Sequence, residues 1–160
     1  MAVTLDRLEP DGRRTLVGLR ATMSIAEDAT AALFRRFMPR RGELTGRVGD
    51  GTHCVRVHPG TGPEAFAPTT HFEKWAAVRV DDDAPVPEGL ERLLVPPGRY
   101  AVFAHRGPVH SFGASLAWIF GTWMQEAGES LDDRPHFEWL PEGWRADDPE
   151  AFEEVWVPLR

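Results

Sequence analysis

The chain has 160 residues, 42% of them hydrophobic and 27% charged, with a formal net charge of −7. That balance suits one globular domain or two small fused repeats, excludes a disordered chain, and argues against a nucleic-acid coat. No apolar run approaches the roughly 18–20 residues of a membrane span, and the charged start MAVTLDRLEP lacks the apolar core of a signal peptide, so the expected compartment is the cytoplasm.

Arg14 to Ser24, RTLVGLRATMS, is β-branched and alternating and predicts a strand. Ser24-Ile25-Ala26-Glu27 has capping-box spacing, so a helix is expected to open there and run to about Arg36 or Met38. Leu33, Phe34 and Phe37 share one side of it, and Pro39 marks its end. Gly46 to Thr52 reads as a turn region, Cys54 to Val57 as a short strand, and Pro59 to Pro63 as a loop. Phe72 to Val80, FEKWAAVRV, is a longer strand stopped by Asp81-Asp82-Asp83.

The second half repeats the order. Leu93 to Val95 is a short strand, Pro96-Pro97-Gly98 a turn, and Tyr100 to His105 a strand. A helix is expected from about Val109 to Ala127, closed by Gly128, with Phe112, Leu116, Ile119, Phe120 and Trp123 as its apolar stripe. Phe137 to Leu140 and Glu154 to Leu159 are the last strands. Strand–helix–strand–strand thus occurs twice, over about 12–82 and 90–160. One helix per half leaves a thin core, so the halves should pair and place a ligand cleft at a pseudo-twofold seam.

No GxSxG elbow, Walker loop, dinucleotide fingerprint or HExxH sequence occurs. The single cysteine, Cys54, cannot form an internal disulfide and excludes cysteine-rich zinc sites; it reads as a small core residue. His53, its neighbour, points to the opposite strand face. His71 and Glu73 share a face but read as half-exposed polar residues, so neither metal nor cofactor is expected. Lys74 is the only lysine among 18 basic residues, a bias that, with plentiful Ala, Gly and Pro, suggests a GC-rich bacterial genome.

Six tryptophans are unusual for this length. Trp75, Trp139 and Trp156 fall in predicted strands, Trp118 and Trp123 in the second helix, and Trp144 in a late loop. Trp123 belongs to the core stripe. On a helical wheel Trp118 falls on the face opposite Phe112, Leu116 and Trp123, which makes it either a surface residue or a cleft lining. Glu138 sits in the apolar strand Phe137-Glu138-Trp139-Leu140. Either it faces water by simple alternation, or it is a carboxylate at the floor of an aromatic cleft. There, lost hydration and aromatic faces would both favour lipophilic cations.

The runs FEKWAAVRV, LLVPPGRYAVFAHRGP, LAWIFGTWMQEAG, RPHFEWLPE and EVWVPLR, taken in order, resemble the GyrI-like small-molecule-binding domain. That family includes the effector-binding domains of AraC- and MerR-type multidrug regulators and stand-alone gyrase-modulating proteins. The segment Leu33 to Arg40 is similar to its first helix. The resemblance implies an α+β fold: a tandem strand–helix–strand–strand duplication with pseudo-twofold symmetry, an antiparallel sheet and two main helices, forming a single domain over 1–160. It also implies a groove between the halves with one central glutamate, here Glu138, and aromatic lining from Trp75, Tyr100, Trp156 and Trp118. Trp stands where the family more often has Tyr at 75, 139 and 156, which removes phenolic hydroxyls. No residues remain for a helix-turn-helix module, so direct DNA binding is not expected.

Three functions compete on this reading. The first is a drug- or toxin-binding protein that stacks bulky aromatic, apolar or cationic compounds near Glu138. The second is a cofactor-free hydrolase that opens the cyclopropane of DNA-alkylating natural products, with Glu138 as general base, for detoxification or self-resistance. The third, by family analogy, is an interaction protein that modulates DNA gyrase. An open sheet edge leaves room for a homodimer.

Overall fold

Alternate residues along Phe72–Val80 sort onto two faces, and that division organises the whole molecule. The computed structural model describes residues 2–160. One antiparallel sheet holds β1 (Val3–Asp11), β2 (Arg14–Met23), β3 (Thr52–Val57), β4 (Phe72–Val80), β5 (Glu91–Val95), β6 (Gly98–Arg106), β7 (His136–Leu140) and β8 (Phe152–Leu159). Their order is β1-β6-β8-β7-β3-β4-β2-β5. Exchanging each strand for its counterpart in the other half reverses that order, the mark of a pseudo-twofold arrangement. The axis falls on the β3–β7 pair, where Cys54 lies opposite Glu138.

The strand β1 is absent from the sequence reading. Charges and Pro10 obscure its alternation, and an edge strand tolerates both because only one of its sides is paired. It pairs with β6 of the second half, while β5 pairs with β2 of the first. Each leading strand therefore crosses to the other half and ties the two together.

Helix α1 (Thr30–Phe37) starts later than expected. The Glu27 N–H does donate to Ser24 Oγ at 3.1 Å, but the Ala26 N–H is taken by the Pro68 carbonyl at 2.9 Å. That bond docks the segment on a neighbouring loop as a turn. The helix begins only where Asp28 Oδ1 accepts the Thr30 N–H at 3.1 Å. It ends at a 3₁₀ turn, Met38–Glu43, which opens with Pro39.

Helix α2 (Phe112–Trp118) continues through a π-helical turn, Ile119–Trp123, into a last turn, Met124–Glu126. Gly128 closes it at φ 67°, with the Glu129 N–H donating to the Met124 carbonyl at 3.1 Å. The π turn corrects the wheel reading of Trp118. Residues five apart on an ideal α-helix diverge by about 140°, whereas a π turn stacks i over i+5. Trp118 and Trp123 accordingly both sit edge-on to Phe103, at ring separations of 6.2 and 4.9 Å.

Three cores result. On one sheet face α1 packs over β2 and β4 through Leu33 and Phe37 against Val17, Ala76 and Val78. The second helix packs on the same face over β6 and β8, through Ile119 and Trp123 against Phe103, Val155 and Val157. The opposite face carries a core built from strands alone, with Leu16, Val55, Trp75, Tyr100, Phe137 and Trp156 buried. That core contains no helix among the described residues; the sheet curls across its own width to bury it, bringing Arg14 of β2 to 4.4 Å from the Trp156 ring of β8 although three strands lie between them.

The close approach of β2 to β4 gives a test. A Cβ at Gly18 would lie 1.9 Å from the Ala76 carbonyl oxygen and 2.6 Å from Ala77 Cα, both backbone atoms that cannot swing away. Gly18→Ala is expected to destabilise by about 3 kcal/mol or more in urea unfolding. The control Gly42→Ala, which meets nothing within 4 Å, should stay within about 0.5 kcal/mol of the parent.

Candidate functional site

Two helices flanking a symmetric sheet leave the central strands β3 and β7 uncovered between them. Over these strands lies a groove of about 880 Å³, within the ordinary range for small-molecule sites. One wall is the second helix, which presents Phe112, Leu116, Phe120 and Met124, with Gly113, Ala117 and Gly121 between them. Nothing lies within 4 Å of a Cβ built at Gly113 or Gly121, so the small residues widen the groove. The other wall is the Ser24–Asp28 turn that leads into α1. Phe66, from the 3₁₀ turn Pro63–Phe66, reaches between the walls, 6.2 Å from the Phe120 ring and 6.0 Å from His136.

The floor is polar. Strand parity places Lys74 of β4, Arg56 of β3 and His136 of β7 on the groove face, and the register sets them side by side across three strands. Arg56 Nη2 donates to Glu138 Oε2 at 2.5 Å. Both side chains are largely buried, 11% and 5% exposed. Lys74 Nζ donates to Thr30 Oγ1 at 2.7 Å. His58 and His136 pack edge to face, 5.0 Å between centroids. Burial holds both imidazoles in the neutral form, pushing His58 down to about 4 and His136 well below its ordinary value, with the Arg56 charge adding to each effect.

Glu153 of β8 shares this polar layer. Burial, with the nearby Glu138 charge, pushes its carboxyl up to about 8. Its Oε1 lies 3.5 Å from His105 Nδ1, and His105 Nε2 lies 3.2 Å from Ser111 Oγ. Burial pushes the Cys54 thiol up to about 12, so it stays protonated. Among the described residues no group of three or more His, Cys, Asp or Glu is placed to hold a metal ion, and no helix is long and apolar enough to cross a membrane.

Glu138 therefore sits at the seam, beneath Arg56, rather than facing water. Arg56 borders the groove and Glu138 does not. The four aromatics expected around it lie elsewhere. Trp75, Tyr100 and Trp156 belong to the opposite core, where Trp156 stacks on Phe137 at 5.1 Å, and Trp118 packs against Phe103. Trp156 also borders a smaller pocket of about 340 Å³ on that face, with the Arg14 guanidinium 4.4 Å over its ring. The groove's own aromatics are Phe66, Phe72, Phe112 and Phe120. Phe112 and Phe120 were legible as part of the helix stripe, but Phe66 stands in a loop with no periodic signal. Arg56 carried no signal beyond strand parity, and His58 and His136 fell outside the strands drawn from the sequence.

The residues 8–160 match the family model described as the GyrI-like small molecule binding domain. The chain is 30% identical over 146 residues to the transcriptional regulator BrlR of Pseudomonas aeruginosa, which covers 91% of this chain and 52% of BrlR. It thus spans about half the length of that curated relative. Among solved structures it is similar to the EcmrR C-terminal domain, with a TM-score of 0.71 at 14% identity over 100% of this chain and 99% of that one. It is also similar to SAV2435 bound to tetraphenylphosphonium, with a TM-score of 0.70 at 17% identity over 96% and 93%.

Two tests follow from the polar layer. Removing Arg56 strands a buried carboxylate, so Arg56→Gln should cost about 3–5 kcal/mol in denaturant unfolding. The double variant Arg56→Gln with Glu138→Gln should recover most of that loss. Glu153 sets the second test. An unfolded glutamate releases its proton near its ordinary value of 4.5, the folded one near 8, so its contribution to stability is lost as pH rises between the two. Glu153→Gln should remove that decline, raising the unfolding midpoint at pH 8 relative to the parent more than at pH 5; equal shifts at both would refute the assignment. By fold, sequence and family model alike, the chain belongs to the GyrI-like small-molecule-binding domain family.

Proposed function

We propose that this chain binds bulky, aromatic small molecules in the groove between its two helices, above the Arg56–Glu138 pair. The observation that carries the reading is the groove itself: about 880 Å³, walled by phenyl rings, at the seam of a GyrI-like domain. The tetraphenylphosphonium in SAV2435 supports it, since a guest of four phenyl rings asks for the kind of space that Gly113 and Gly121 leave open here.

The physics of holding such a guest is direct. Ring contacts to Phe66, Phe112 and Phe120 contribute on the order of 0.5–1.5 kcal/mol each beyond the area they bury. Several together reach micromolar affinity, about −8 kcal/mol. The walls come from separate elements and carry few directional groups, so shape and apolar area dominate over hydrogen bonding and the range of guests is broad.

Hydrolysis of a strained ring asks for a carboxylate lone pair open to a substrate water. Glu138 commits Oε2 to Arg56 and does not border the groove, an arrangement that favours holding a guest over attacking one. The same domain, joined to further chain, would serve as the effector-sensing half of a regulator such as BrlR.

A neutral fluorescent ligand, N-phenylnaphthylamine, tests the site. Its emission should rise on saturable binding to the parent protein. Gly121→Trp, which fills the groove from an open helix position, should weaken binding about ten-fold or more while leaving the thermal unfolding midpoint in place. Undiminished affinity in that variant would put the binding site elsewhere.

A further inference from the structure

The groove reading leaves the charge of the guest open, and the floor bears on it. Arg56 and Lys74 are directly opposed on neighbouring antiparallel strands, a like-charge pairing that costs stability when nothing lies between the two. Neither is saturated. Arg56 spends Nη2 on Glu138 and its Nε is buried without a partner, while its Nη1 makes no hydrogen bond among the described residues and is not fully buried, which leaves it to a guest. Lys74 gives one bond to Thr30 Oγ1, and an ammonium carries three donors. His136, opposite Arg56 on the other side and 3% exposed, has a buried Nδ1 that is likewise without a partner, as does His58.

The acids do not balance this row from the groove side. Glu138 lies behind Arg56 and its charge is spent there. Burial keeps Glu153 largely protonated at neutral pH. Asp28 borders the groove, but it is exposed and its Oδ1 accepts from Thr30. A cationic guest would meet two cations first. An anionic one would meet unfilled donors from Arg56 and Lys74 between phenyl walls, where low polarity strengthens a charged hydrogen bond.

We infer that the groove selects bulky aromatic molecules bearing one anionic group, a sulfonate or carboxylate, that bridges Arg56 and Lys74. This rests on the groove being the binding site, and departs from the lipophilic cations that the sequence led us to expect. The guanidinium and ammonium converge on the anion, and the rings lie along Phe66, Phe112 and Phe120.

The test compares ligands that share a scaffold and differ in charge. Anilinonaphthalene sulfonate carries the rings of N-phenylnaphthylamine plus one sulfonate; tetraphenylborate is the anionic counterpart of tetraphenylphosphonium. In each pair the anion should bind about ten-fold tighter or better. Lys74→Gln should reduce that ratio. The double variant Arg56→Gln with Glu138→Gln, which removes the ion pair without orphaning a charge, should bring the members of each pair to within about two-fold. Circular dichroism on each variant confirms that it is folded. Equal or tighter binding of the neutral or cationic member overturns the inference while leaving the groove intact as the site. So does a preference that survives in both folded variants. Binding of the neutral dye that ignores Gly121→Trp would instead mean that the groove reading itself had failed.

Discussion

The two halves of the sheet meet along one antiparallel pair, β3 with β7, and the site exists because of how that pair is registered. Cys54 faces Glu138 across it, and Arg56 faces His136. A slip of one residue would turn every one of these side chains to the opposite face, placing charge in the all-strand core of Trp75, Tyr100 and Trp156. The register is clamped from outside. Glu142, just beyond β7, pairs with Arg41 and Arg47 and accepts the Gly51 N–H at 3.1 Å, while Trp139 Nε1 donates to the Asp50 carbonyl at 2.9 Å. The groove is what remains when the two helices each cover their own half and neither covers the seam.

The polar layer under the groove is costly by itself. An ion pair in a mostly buried setting recovers only part of its desolvation, and two cations on adjacent strands add repulsion. Two neutral histidines and a protonated glutamate keep the remaining charge down. Such an arrangement is weak as a source of stability. It makes sense as a recognition surface whose unfilled donors are completed by a guest. On the proposed reading wall and floor divide the labour: the phenyl wall would set how much a guest gains, and the floor which charge it carries.

Much of this was legible in the residues. Strand alternation and turn glycines gave the duplication and its seam; the family resemblance pointed to Glu138 as the groove's central glutamate, whereas it lies at the seam behind Arg56 and does not border the groove. The aromatics went astray for a definite reason. Strand period separates Glu138 from Phe137 and Trp139, yet which face of one strand joins which face of the next depends on register, and register is not written in any single strand. Trp156 therefore landed with Phe137 rather than with Glu138. Trp118 was misplaced by an α-helical wheel laid over a π turn, a local change of period that its sequence does not announce. Lys74, conspicuous as the sole lysine, stood in plain view without its meaning, because only the pairing of β3 with β4 brings it beside Arg56.

The central claim is that guests bind on the helix-bearing face at the seam. Intermolecular NOEs between isotope-labelled protein and unlabelled N-phenylnaphthylamine test it most directly, because the two faces carry different methyl groups. Contacts are expected to the methyls of Ile25, Leu116, Met124 and Leu131, which border the groove. Contacts instead to Leu16, Val55 and Val95, in the core of the opposite face, would contradict it.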